Sequence, residues 1–205
     1  MAGLLSNLRN TLLLSGLLAL IMIFAFSHSP HGVDASFWQA VFRWMHVVFG
    51  VLWIGLLYYF NFVQIRKMPD IPAELKPAIS KYIAPEALFW FRWSALMTVL
   101  AGLGIAILRG HAYAAKVFTF GFAGGYDSSD RGFTLMGVGV WLAIIMFLNV
   151  WGVIWPNQKI ALGIKPAEAD AKAKAARLAM LASRINVLLS LPMLTAMAMY
   201  QTLYG

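Results

Sequence analysis

The stretch FWQAVFRWMHVVFGVLWIGLLYYFNFVQI, Phe37–Ile65, decides the fold class of this chain because it is almost entirely apolar and contains a single charged side chain, Arg43. A helix needs about 20 residues to cross the hydrocarbon core of a bilayer, and this run exceeds that length. Four further runs have the same character, namely Thr11–Ser27, Glu86–Leu108, Gly132–Trp155 and Arg177–Leu203. The sequence therefore predicts an all-α integral membrane protein, a bundle of five transmembrane helices that forms one membrane domain over residues 1–205.

Composition supports the same class. Hydrophobic residues make up 61% of the chain and charged residues only 12%, with a mean hydropathy of +0.74. Soluble domains carry about twice that charged fraction. The absence of cysteine excludes disulfides, zinc–thiolate sites, iron–sulfur clusters and thiol catalysis. The net charge is +8, and most of the basic residues that produce it lie between the apolar runs. This placement favours contact with anionic lipid over binding to nucleic acid.

The basic residues of the connections predict the orientation. Arg43, Arg92 and Arg184 lie inside apolar runs and are set aside. One side of the bundle then carries ten Lys/Arg and the other side carries three, Arg109, Lys116 and Arg131. The positive-inside rule predicts a cytoplasmic N-terminus and a C-terminus on the external, periplasmic side. A cleaved secretory signal is the alternative for the short first run, with Ala25–Ser27 as the cleavage pattern.

Two connections have a predicted structure. Met68–Pro85 contains four prolines, which exclude a continuous helix there. Ala167–Ala182 has high helix propensity and is predicted to extend the last helix as a basic cytoplasmic segment.

All four histidines fall toward the predicted external side, and His46 is the one inside an apolar run. His28 and His31 follow the first run, and His111 follows the third. One helical stripe joins the following residues at three- and four-residue spacing: Arg43, His46, Gly50, Trp53, Leu57, Asn61 and Gln64.

This stripe suits a b-type haem whose iron His46 ligates. Gly50 would let a flat macrocycle approach the backbone, and Arg43 could meet a propionate. The alternative is a core histidine bonded to a neighbouring helix, with Gly50 as a packing residue. Candidates for a second axial ligand are Met97, Met193, Met197 and His111, and five-coordinate haem is a further alternative.

A second polar layer lies toward the predicted cytoplasmic side. Its members are Asn61, Gln64, Glu86, Arg92, Asn149, Asn157, Gln158, Arg184 and Asn186. Amides at this depth need hydrogen-bond partners. The layer is either a structural network or the lining of a small-molecule or quinone pocket.

Four motifs resemble one family. RWMHVVFGVLWIGLLYYFNFVQ (Arg43–Gln64), EALFWFRWSA (Glu86–Ala95), NVWGVIWPNQKI (Asn149–Ile160) and SRINVLLSLPML (Ser183–Leu194) resemble, in order, the membrane domain of bacterial urate oxidases. In that family the membrane region precedes a cytochrome c domain. This sequence has no Cys-x-x-Cys-His motif, so the resemblance implies the membrane region without that domain.

Three functions are expected from these features. The first is a haem-binding redox protein that exchanges electrons with a quinone or a cytochrome c. The second is a non-catalytic membrane subunit of a larger complex. The third, which the resemblance implies, is a urate- or purine-oxidising membrane enzyme that uses the inner polar layer.

Overall fold

The computed structural model describes residues 2–26 and 32–204, and all regular structure in those ranges is helical. Five helices are long and apolar enough to cross a membrane, as predicted. The principal helices are α1 (Leu8–Phe26), α2 (Ala35–Tyr58), α3 (Ala84–Leu108), α4 (His111–Phe118), α5 (Arg131–Asn149) and α6 (Ala169–Leu203). His28 and His31 lie outside the described residues.

Shorter turns extend or join these helices. They are helical turns at Ala2–Leu5, Ile65–Lys67, Lys76–Ala78 and Trp155–Ala161, 3-10 turns at Met68–Asp70 and Ser128–Asp130, and π-helical turns at Tyr59–Gln64, Ile79–Ile83 and Val150–Ile154. The π-helical turns all lie at the end of the bundle where α2 ends and α3 begins, called the inner end below. The opposite end is the outer end. Such turns widen a helix locally and are frequent at functional sites.

The proline-rich connection is more helical than predicted. The helical run toward α3 begins at Lys76, so the predicted start at Glu86 was too late. Pro77 occupies the first turn of that run, where a proline's missing N–H has no helical partner to lose. Only 71–75 interrupt the helices of this connection. The predicted extension of the last helix is confirmed, because α6 is continuous from Ala169 to Leu203.

Two helix pairs build the bundle. α2 packs most extensively on α3, and α5 packs most extensively on α6. Large apolar side chains fill the space between the pairs, with Trp53, Leu57, Phe91, Met146 and Val150 almost completely buried. α1 is the least buried of the five spans, since none of its membrane-spanning window is buried within the protein.

The antiparallel register of α2 and α3 positions the functional site. At the outer end, Gln39 Nε2 donates to the carbonyl oxygen of Leu108 at 3.1 Å. Further in, a Cβ on Gly104 would meet the ring of Phe42, and a Cβ on Gly102 would meet the ring of His46. The glycines of α3 therefore allow the aromatic rings of α2 to lie against its backbone.

Candidate functional site

A cavity of about 380 Å³ lies in the outer half of the bundle, within the size range of small-molecule sites. α2, α3, α4, α5 and α6 all contribute to its wall. Its polar lining includes Arg43, His46, Arg109, Tyr113, Tyr200 and Gln201, and its apolar lining includes Val47, Val99, Leu103, Val140, Ile144 and Met197. The structure thus combines a mainly apolar wall with a few polar groups, which is the usual character of a ligand site.

His46 is held in one orientation at this wall. Its Nδ1 lies 2.8 Å from the backbone carbonyl oxygen of Thr98 on α3. A carbonyl oxygen only accepts hydrogen bonds, so Nδ1 carries a proton. Nε2 has no hydrogen-bond partner within the described ranges, and in the neutral form of the ring its lone pair is free. A histidine that ligates a metal commonly donates its other N–H to a backbone carbonyl in this way.

Gly102 makes this orientation possible. A Cβ at position 102 would lie 3.1 Å from both Cε1 and Nδ1 of His46. That separation is shorter than the optimum of about 3.5–4.0 Å for carbon atoms. The absence of a side chain at residue 102 therefore lets the ring lie closer to the Thr98 carbonyl oxygen than it could beside an alanine.

Arginine and tyrosine side chains stand at the outer end of the cavity. Arg109 Nη1 donates to the Tyr200 hydroxyl at 3.4 Å, and its guanidinium lies 4.9 Å from the centre of the Tyr113 ring. The Tyr113 hydroxyl donates to the Tyr200 hydroxyl at 3.2 Å. Burial raises the pKa of Tyr113 to about 12, and the hydrogen bond with Tyr200 adds to the rise. Tyr113 therefore stays a neutral donor through the physiological range.

The predicted stripe on α2 divides between two environments. Arg43 and His46 line the cavity. Gly50 faces α3, where a Cβ would make ordinary contact with Thr98 Cγ2 at 3.7 Å. Trp53 is 1% exposed and packs in the core between the helix pairs. Neither Gly50 nor Trp53 lines the cavity.

The candidate second ligands also separate. Met197 of α6 lines the same cavity as His46. Met193, one turn inward, is 6% exposed and packs in the core. Met97 is half-buried on α3 without lining the cavity, and His111 is exposed at the start of α4. Met136 of α5, which sequence reasoning missed, also lines the cavity.

The inner polar layer contains an interhelical amide network. Asn149 Nδ2 donates to Asn186 Oδ1 and to the Ala182 carbonyl oxygen, both at 2.8 Å. Asn186 Nδ2 donates to the Met146 carbonyl oxygen at 3.0 Å. Asn61 Nδ2 donates to Ser183 Oγ at 2.8 Å. These bonds tie the inner parts of α2 and α5 to α6, which is the structural role that the sequence left open.

The charged members of the inner layer do not join that network. Glu86 accepts a hydrogen bond at 2.8 Å from Trp90 on its own helix. Arg92 stacks on Trp155, with its guanidinium carbon 3.9 Å from the ring centre. Arg184 is exposed, without an ion pair in the described part of the chain.

The remaining amides of the inner layer lie close to its π-helical turns. Asn157 Nδ2 donates to the Val153 carbonyl oxygen at 2.8 Å, and Gln158 is half-buried. Four buried polar atoms of this layer have no protein partner within the described ranges, namely Trp53 Nε1, Asn61 Oδ1, Gln64 Oε1 and Trp151 Nε1. The amide nitrogen of Asn61 therefore forms an interhelical hydrogen bond, while its amide oxygen has no hydrogen-bond partner within the described ranges.

Sequence reasoning missed Thr98, Gly102, Arg109 and Tyr200. In the sequence, Arg109 directly follows the apolar run and is therefore assigned to the connection after it. The glycines of AGLG, Ala101–Gly104, were the available signal for a close helix contact.

In the part of the chain that the structure describes, no three His, Asp or Glu side chains cluster as ligands for a metal ion.

Comparison of the chain with protein-family models, with curated proteins and with solved structures finds no match in any of the three. The relation to the urate oxidase membrane domain stays a prediction from the four motifs, and so does the urate- or purine-oxidising activity that it implies.

Proposed function

We propose that this chain is a haem-binding redox protein of the bacterial inner membrane. The cavity in the outer half would take a b-type haem, and Nε2 of His46 would hold its iron. The hydrogen bond from His46 Nδ1 to the Thr98 carbonyl oxygen carries this proposal. It fixes the proton on the nitrogen that faces α3 and leaves the other nitrogen of a cavity-lining side chain available to iron.

The residues of the cavity fit the group. Branched side chains of α3 and α5 supply an apolar wall for a macrocycle, and Met197 on α6 offers a thioether as a second ligand. When bound, a haem supplies reversible one-electron chemistry. The protein's own part is to hold the imidazole ring, to keep water from the apolar wall, and to tune the potential through the axial ligand and the surrounding charges.

The position of the site suggests its redox partners. The positive-inside rule assigns the outer half of the bundle to the periplasmic side, where a cytochrome c could approach. A quinone could approach from the bilayer. Electron exchange with one of these two carriers is the function we propose for the cavity.

Absorption spectra of the detergent-purified protein, reconstituted with haem and recorded oxidised and then reduced, test this function. We expect a Soret band with reduction-dependent visible bands, lost in His46→Ala and retained in the matched control His111→Ala. His111 is suited to that control because it is exposed on α4 and lies away from the cavity wall. An unligated spectrum in the wild-type protein, or an unchanged one in His46→Ala, would refute the proposal.

A second candidate is a non-catalytic membrane subunit, and the unburied helix α1 favours it. Because none of its membrane-spanning window is buried within the protein, most of the surface of this helix is available to a neighbouring protein. Purification in a mild detergent separates the two functions. A colourless protein that keeps one fixed stoichiometry with a larger complex would support the subunit, whereas a haem-loaded protein that runs alone would exclude it.

A further inference from the structure

The outer cavity carries uncompensated positive charge. Arg43 and Arg109 both line it, and none of the described residues on its wall is an aspartate or glutamate. The ion pairs within the described ranges are Lys67–Asp70 and Lys116–Asp130, so neither arginine has a carboxylate partner. Arg109 contacts only neutral groups, the hydroxyl of Tyr200 and the ring of Tyr113.

Both arginines lie on the outer side of His46. Arg43 is three residues before His46 on α2, about 4.5 Å further out at 1.5 Å per residue. Arg109 is seven residues after Gly102, the residue that contacts His46, and so lies about 10 Å further out along α3. The polarity of the wall therefore increases toward the outer end. Apolar side chains lie at the level of His46, and two guanidinium groups lie beyond it.

An arginine beside an apolar cavity in a membrane is costly unless an anion accompanies it. Guanidinium groups pair with carboxylates through parallel hydrogen bonds, and these charge-assisted bonds are stronger than neutral ones. Two arginines at different depths on two helices can engage two separate carboxylates of one molecule.

We infer that the occupant of this cavity is an amphipathic dicarboxylate, whose apolar body lies at the level of His46 and whose two carboxylates pair with Arg43 and Arg109. The inference rests on the proposed function for a porphyrin as the body of that molecule, but it does not depend on iron. Tyr113 and Tyr200 position Arg109, since the ring of one and the hydroxyl of the other contact its guanidinium.

A metal-free porphyrin measures the contribution of the carboxylates to binding, because without iron there is no metal for His46 to coordinate. The full chain in detergent is titrated with protoporphyrin IX and with protoporphyrin IX dimethyl ester, and binding is followed by porphyrin fluorescence. We expect the diacid to bind at least about tenfold more tightly than the diester, because only the carboxylates of the diacid can form charge-assisted hydrogen bonds with the guanidinium groups. Arg43→Gln and Arg109→Gln should each reduce this preference, and the double variant should abolish it.

Two further variants control for folding and for surface charge. Arg109→Lys keeps the charge without the paired donors, and we expect it to retain part of the preference. Arg131→Gln removes an exposed cation that does not line the cavity, and we expect it to match the wild type.

Equal affinity of the wild-type protein for diacid and diester would overturn the inference, and so would failure of both to bind. A loss in Arg131→Gln as large as that in Arg109→Gln would overturn it as well. Preference for the diacid in a protein that shows no haem ligation by His46 would refute the proposed function and leave this inference standing.

Discussion

The substitution Gly102→Ala tests how the imidazole ring of His46 is held. A Cβ at this position lies 3.1 Å from two atoms of the ring. Relief to ordinary contact requires the ring to move about 0.4 Å away from α3. The Thr98 carbonyl oxygen belongs to the same helix, so the hydrogen bond of 2.8 Å would stretch to about 3.2 Å, the upper limit of the normal range.

The matched control is Gly55→Ala on α2, where a Cβ would meet nothing within 4 Å. Replacing a helical glycine with alanine stabilises a helix by about 0.5–1 kcal/mol, and the control should show this gain. At position 102 the same gain is opposed by overpacking, which costs about 1–3 kcal/mol. We therefore expect Gly102→Ala to be about 1–3 kcal/mol less stable than Gly55→Ala.

Two assays report on the prediction. Thermal unfolding in detergent compares the stability of the two variants, and haem titration compares their ligand spectra. Weaker haem binding in Gly102→Ala, with normal binding in Gly55→Ala, is the expected result. Equal stability and identical spectra in the two variants would refute the close contact between His46 and α3.

Three further predictions concern other parts of the protein. Asn186→Leu should lower the free energy of unfolding by about 1–2 kcal/mol in thermal denaturation, because it removes the hydrogen bonds that join the Asn186 side chain to the Met146 carbonyl oxygen and to Asn149 Nδ2; wild-type stability would contradict this. Lys116→Met should lower the free energy of unfolding by about 2 kcal/mol, because it removes the ion-pair partner of the Asp130 carboxylate, which is 1% exposed. A double variant that also carries Asp130→Asn should recover part of this loss of stability. Tyr113 has a raised pKa in the folded protein, so its contribution to stability is fully present below pH 10.0 and is lost as the pH rises toward about 12. Unfolding curves across that range should show this decline in the wild type and a smaller one in Tyr113→Phe.

Predictions for the helices succeeded where the signal was local. Hydropathy and length identified five spans, and the high helix propensity of 167–182 predicted the extension of α6. The helical run that leads into α3 begins at Lys76, ten residues before the predicted start at Glu86. Prolines near a helix start are compatible with helix, because the first turn does not need their N–H groups.

The candidate site was partly accessible from the sequence. A histidine inside an apolar run, with an arginine one turn away, marked His46 and Arg43, and both line the cavity. Periodicity alone extends the predicted stripe to Trp53. In the structure, however, the Trp53 side chain packs in the core between the helix pairs. Periodicity describes one helix and says nothing about which neighbour each part of its face meets.

For this protein, the amino-acid sequence alone determined the all-helical membrane class and the candidate polar side chains within the spans. Both depend only on composition and on spacing along one segment. The tertiary structure decided that Met197 rather than Met193 shares a cavity with His46, and that Arg109 joins Arg43 there. These relations depend on the register of α2 against α3 and on the rotation of α6. Register and rotation follow from packing between segments distant in the chain, such as Gly102 against His46, and no single segment encodes them.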